Sequence, residues 1–161
     1  MRITPLIVYF GIILFACNSP KQLTTKIQKE TIELIVPQEV KKGTSISFEI
    51  KNNTSEGLII HRPEIKNIQK LENGSWRKIR ILYCPCGANC IPPPKTKLLK
   101  PNEKLEYTWN LLESWCDKKV KNKIPKTIEQ KSPVGLYRIS ITYSPDGTNK
   151  MKKIKEFSIT D

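Results

Sequence analysis

The sequence holds a single histidine, His61, and that scarcity removes much chemistry at the outset. A zincin pair, a facial triad and a multi-histidine copper site each need more than one imidazole. No Cys-x-x-Cys pair is present and no βαβ pattern surrounds a cysteine, so thioredoxin-like redox chemistry lacks its motif. There is no Gly-x-Ser-x-Gly turn to expose a serine nucleophile. No apolar run reaches the roughly 18–20 residues of a permanent transmembrane helix. Acidic side chains are outnumbered, 15 against 28 Lys and Arg, for a formal net charge of +13. The 161 residues are too few for a (β/α) barrel enzyme but enough for one domain with one core. An apolar share of 38% is too high for a wholly disordered chain. There is no internal repeat and no sign of a second domain.

What is present begins with an address. Arg2 precedes a short apolar run from Leu6 to Ala16, the charge and length of a secretory signal. The run ends in Leu14-Phe15-Ala16-Cys17, which resembles the lipobox of bacterial lipoproteins, with Phe15 larger than that family prefers. The resemblance implies that residues 1–16 are removed, that Cys17 carries a diacylglycerol thioether, and that its new amine is acylated. Two or three acyl chains anchor stably where one does not. Asn18 stands where an Asp retains many such proteins at the inner membrane, so the resemblance favours the outer membrane. Residues 17–30 are polar and without period, a tether between the lipidated Cys17 and a domain spanning 31–161.

From Thr31 onward the signals are those of strands. Thr31 to Val36 alternates and stops at Pro37. In the next strand Ile46, Phe48 and Ile50 share one face, and Gly57 to His61 and Ile65 to Lys70 follow. Asn73-Gly74 is the strongest hairpin signal and delivers a strand from Trp76 to Tyr83. Leu105, Tyr107 and Trp109 share a face, as do Tyr137, Ile139 and Ile141. Asp146-Gly147 turns the chain into a last strand, Lys150 to Ile159. Between Asn110 and Ser132 there is no period, and a short helical turn is expected near Leu111–Trp115. The spacing predicts an all-β, antiparallel sandwich of about seven strands after the signal peptide and short linker. Most of its tryptophans and tyrosines belong in the core.

Four motifs in order then resemble a bacterial immunoglobulin-like domain found in secreted proteins and lipoproteins. They are the strand-ending Asn52, the Asn73-Gly74-Ser75-Trp76 hairpin, the turn Leu99-Lys100-Pro101-Asn102-Glu103, and Gly135-Leu136-Tyr137-Arg138-Ile139. The resemblance implies an immunoglobulin-like sandwich without the intersheet cystine of antibody domains. Fold alone assigns no activity.

The unusual feature is Cys84-Pro85-Cys86-Gly87-Ala88-Asn89-Cys90, running into a proline-rich loop over residues 84–97, with Cys116 beyond. In an exported chain an even set of cysteines pairs, and Cys84–Cys86 would close a strained ring. Two disulfides are expected, with Cys90 joined to Cys84 or Cys86 and Cys116 to the other. The alternative is a Zn or Cu(I) site of Cys84, Cys86, Cys90 and Cys116, whose spacing departs from the paired knuckles of zinc ribbons. His61 beside these cysteines would lack an orienting acid and oxyanion donors, and reads better as a half-exposed strand-end residue. No catalytic residues and no cofactor are expected. The basic runs Lys118–Lys123 and Lys150–Lys155 lack a recognition helix or interleaved aromatics, and export disfavours nucleic acid. The expected protein is a non-enzymatic envelope module of unknown ligand, held to membrane by its lipid. Its partners would be an envelope protein or an acidic surface polymer. The rival functions are the metal site and a protease-inhibitor-like module presenting the 84–97 loop.

Overall fold

The computed structural model describes residues 32–63, 67–118 and 123–161. Alternation in the sequence becomes two facing sheets. In β3 (Ile46–Asn52), Ile46, Phe48 and Ile50 are buried while Ser47 is exposed. β3 pairs antiparallel with β1 (Ile32–Ile35) and with β8 (Lys104–Trp109), giving a three-stranded sheet ordered β1-β3-β8. The register Phe48↔Tyr107 and Ile46↔Trp109 puts the expected apolar face of β8 beside that of β3.

The second sheet is built around β11 (Gly135–Ser144), which pairs along nearly its whole length with β12 (Met151–Thr160). On its other side β11 takes two short partners in turn. β4 (Leu58–His61) covers Thr142 to Ser144, and β5 (Ile68–Glu72) covers Tyr137 to Ile139. β6 (Ser75–Lys78) pairs with β5 through the Asn73-Gly74 hairpin, whose two residues have φ of 49° and 76°. Positive φ at both positions is what a two-residue hairpin of matching twist demands, and Asn-Gly supplies it at low cost. β7 (Thr96–Leu99) pairs with β4, and β2 (Glu39–Lys41) adds to β12 in parallel. β9 (Leu112–Cys116) and β10 (Thr127–Lys131) form a separate antiparallel ribbon.

The all-β sandwich is therefore as expected, with differences of detail. Among the described residues there are twelve strands where about seven were expected, and one pairing, β2 with β12, is parallel. The added strands are short and held by partners distant in sequence, which local periodicity does not report. The helical turn expected near Leu111–Trp115 is instead the strand β9. The strand expected over Trp76–Tyr83 stops at Lys78; of the one expected over Ile65–Lys70, Ile65 and Lys66 lie outside the described residues, and the described strand runs Ile68–Glu72.

Four rings join the sheets. Phe48 meets Phe157 edge-on at 5.7 Å, Phe157 stacks on Tyr137 at 5.7 Å, and Trp109 lies 5.9 Å from Tyr137. Such pairs add about 0.5–1.5 kcal/mol each beyond the area they bury. Tyr137 is fully buried, yet its hydroxyl donates to the Pro133 carbonyl at 2.6 Å. A tyrosine near a strand start bonding back to the preceding corner is a device of immunoglobulin-like sandwiches. Burial pushes this phenol well above the usual tyrosine range, so it stays a donor at neutral pH. A folded-state pKa raised above the unfolded value gives stability present below about pH 10 and lost as pH climbs further. Tyr137→Phe should cost about 1–2 kcal/mol in chemical denaturation, and should flatten that alkaline loss.

Candidate functional site

The elements that do not belong to the sandwich gather on one flank. The positive φ of Leu111, 57°, turns the chain out of β8 and into β9 while the Leu111 side chain stays buried. A bulky residue held there costs on the order of 1 kcal/mol or more and persists only where packing enforces it. The Trp109 indole N–H donates to the Leu112 carbonyl at 2.9 Å across the same bend. β9 then runs beside the segment that leaves β6. Ser114 N–H donates to the Arg80 carbonyl at 2.7 Å, and its hydroxyl accepts from Leu82 N–H at 2.7 Å. Ser114 thus ties the irregular residues 79–82 to the ribbon.

The cysteine loop is stapled onto this ribbon. Cys84 is bonded to Cys90, with Cα atoms 6.2 Å apart, and Cys86 to Cys116, with Cα atoms 5.7 Å apart. Cys86 N–H also donates to the Thr127 hydroxyl at 2.8 Å, so the loop is held by both strands of the ribbon. Gly87, at φ 78°, lies directly under the Ile124 side chain, where a Cβ would collide. Both requirements make glycine necessary there. The result is a loop fixed by two disulfides and the Cys86–Thr127 hydrogen bond, with large apolar side chains left outward on it and beside it. Ile91 is 85% exposed, Ile124 72% and Tyr83 52%.

Between residues 78–82 and β9 lies an open cleft of about 390 Å³. Ile79, Ile81, Leu82 and Trp115 give it an apolar lining, and Lys78 and Arg80 supply positive charge. The Arg80 guanidinium sits 3.8 Å from the centre of the Trp115 ring, a cation–π contact that orients both. A smaller, more polar cleft of about 200 Å³ adjoins it, lined in part by Glu72, Arg77 and Glu113. Arg77 donates to Glu72 at 3.1 Å and, with Lys70, holds that carboxyl below its usual range. Apolar lining with a few convergent charges is the ordinary make-up of a ligand site.

The other candidate residues fall elsewhere. His61 ends β4, half-buried, with Nε2 2.8 Å from the Ser144 hydroxyl. Ser144 is fully buried, and the adjoining cavity of about 10 Å³ has no room for a substrate. The cysteines that might have joined His61 are bonded to one another. Among the described residues no group of three or more His, Cys, Asp or Glu converges as metal ligands. Sulfurs in disulfides offer no thiolate, so the metal alternative on Cys84, Cys86, Cys90 and Cys116 would need both bonds reduced first. Trp109, Tyr137 and Tyr143 are buried, whereas Trp76 lies under the Arg138 guanidinium at 4.3 Å and Trp115 lines the cleft. Cys17, the signal 1–16 and the tether 17–30 lie outside the described residues, as do residues 119–122 of the basic run. The cleft itself was not anticipated. Its walls come from the irregular residues 79–82 and from β9, a strand without alternation.

No family model matches the chain, and no curated protein matches it. Solved structures with a related course of chain include the ASH/PapD-like domain 7 of human CEP192. That match has 12% identity, covers 98% of this chain and 97% of that one, and has a TM-score of 0.41. Another is a mutant β-glucosidase from Listeria innocua, 14% identical over 81% of this chain, with a TM-score of 0.32. This chain spans only 16% of that enzyme. Neither likeness carries a functional inference, and the fold assignment rests on the two facing sheets and the tyrosine corner.

Proposed function

We propose that the chain is a non-catalytic binding module of the bacterial cell envelope, anchored through lipidated Cys17 and recognising an envelope protein with its stapled flank. The observation that carries this reading is a loop fixed by two disulfides that still presents Ile91 at 85% exposure. A backbone constrained by disulfides beside an exposed apolar side chain has less conformational entropy to lose on docking than a free loop. The cleft beside Trp115 extends the same surface, and its Lys78 and Arg80 favour a partner segment carrying a carboxylate. Capture from envelope extract compares the unlipidated protein with its Ile91→Asp and Arg80→Glu variants. Loss of one identified partner, by tenfold or more in either variant, supports the reading. An unchanged set of captured proteins contradicts it.

The anchor has its own test. Cys17→Ser should move the protein from the detergent phase to the soluble fraction, or leave it uncleaved with its signal attached. A Cys17→Ser protein still membrane-bound and cut at the same place removes the lipid from the account. A second reading draws on the same loop, since a disulfide-held segment rich in proline is pre-organised for a protease cleft. Inhibition of a serine or cysteine protease that disappears with Ile91→Asp would select it.

A further inference from the structure

The point where the chain enters the sandwich is pinned to a basic strand. Lys153 donates to the Ile32 carbonyl at 2.6 Å, so β1 begins against the first half of β12. That end also holds the close of β11 and the turn 145–149, while β8 runs from here toward the stapled flank. Lys150, Lys152 and Lys155 are exposed, and none of them forms an ion pair among the described residues. Between them stand Met151 and Ile154, 40% and 41% exposed. The neighbouring carboxylates are ionised, but none pairs with Lys150, Lys152 or Lys155 among the described residues. Asp146 is turned into its own loop by Asn149 and Thr148, whose backbone N–H groups hold its carboxyl below the usual range. Glu33 is engaged by Asn53 at 3.2 Å, and Glu156, exposed, remains beside Lys155.

We infer that the first half of β12, which β2 leaves unpaired on its outer edge, lies edge-on against an anionic phospholipid surface, with Lys150, Lys152 and Ile154 on one side of that edge and Met151 and Lys155 on the other. The orientation rests on the reading of Cys17 as the anchor; the attraction itself does not. Cys17 precedes Ile32 by 15 residues, so a lipid on Cys17 would meet the domain first at this end. Lysines within about 8 Å of a charged surface escape most screening at physiological salt. Each lysine near an anionic leaflet is worth about fivefold in partition, and exposed Met and Ile side chains can rest at headgroup depth. The opposite flank, with its stapled loop, is thereby turned away from the membrane toward partners.

The test uses the chain from position 17 onward with Cys17→Ser, which retains every described residue and cannot be lipidated. Its sedimentation with vesicles of phosphatidylglycerol and phosphatidylcholine in equal parts is compared with pure phosphatidylcholine. Binding to the anionic vesicles alone is expected, weakening as salt rises. Lys150→Ser, Lys152→Ser and Lys155→Ser together should lower it tenfold or more. The control triple Lys118→Ser, Lys126→Ser and Lys131→Ser removes equal charge from the stapled flank and should change it far less. Equal losses from both triples would mean undirected charge and overturn the inference. So would retention on an anionic polysaccharide without vesicle binding. The Cys17→Ser fractionation fails or succeeds independently, which keeps the two readings separable.

Discussion

Asn52→Leu is expected to cost about 4 kcal/mol or more and to leave little folded protein at 37 °C. The side chain is fully buried and serves five bonds. Its amide donates to the carbonyls of Glu56 at 2.7 Å, Leu99 at 3.0 Å and Lys100 at 3.1 Å. Its oxygen accepts from Thr54 N–H at 2.9 Å and from the Thr54 hydroxyl at 2.7 Å. The backbone joins in, with Asn52 N–H donating to Glu103 O and Asn102 N–H to Asn52 O. A leucine fills similar volume but makes none of these five bonds, each worth about 0.5–1.5 kcal/mol, and strands the carbonyl of buried Leu99. The effect should exceed that of Asn53→Leu, one residue away and half-buried, in a denaturant titration of both. Similar midpoints for the two variants would remove Asn52 from this role.

The second large effect lies in the cystines. Cys86–Cys116 spans a sequence separation of 30 and Cys84–Cys90 one of 6. In the chain-entropy picture, removing the first costs about 3–4 kcal/mol and removing the second about 2 kcal/mol. Cys86→Ser with Cys116→Ser should therefore lower the denaturation midpoint more than Cys84→Ser with Cys90→Ser. It should also speed amide exchange across residues 84–97, because Cys86 N–H then loses the geometry that holds it to Thr127. Alkylating the native, unreduced and unlipidated chain and weighing it should find no reactive thiol among the four. Four labelled thiols, with a stoichiometric metal that leaves with chelator, would restore the Zn or Cu(I) alternative.

The sandwich was legible because its core strands alternate. Ile46, Phe48 and Ile50 could point only one way, and a shift of one residue would have buried Glu49 and Lys51. The motifs behind the immunoglobulin-like resemblance were legible as residue types, and the structure supplies their physics. Asn52 and the Leu99-to-Glu103 turn interlock, with Lys100 N–H bonded to the Glu103 carboxylate at 2.7 Å. Tyr137 makes the corner, and Trp76 receives Arg138. What stayed hidden was set by long-range pairing. β9 and β10 carry no alternation, and their register Cys116↔Thr127 exists because the ribbon closes on itself beside a stapled loop. Phe157, central to the ring cluster, follows a stretch with lysine at three of its first five positions, Met151 to Lys155, so its weight in the core was concealed. Cysteine spacing reduced three pairings to two, and the structure selects Cys84–Cys90 with Cys86–Cys116.

The account turns on one surface, and cross-linking inside living cells interrogates it directly. A photoreactive residue is placed at Ile91 on the stapled loop, and in a parallel strain at Glu39, exposed on the short strand β2. The binding-module reading predicts a discrete adduct with one envelope protein from position 91, and none with that protein from position 39. It also predicts that the adduct fades when Cys86 and Cys116 are both serine. Absence of any adduct from position 91, or the same adducts from both positions, would contradict it.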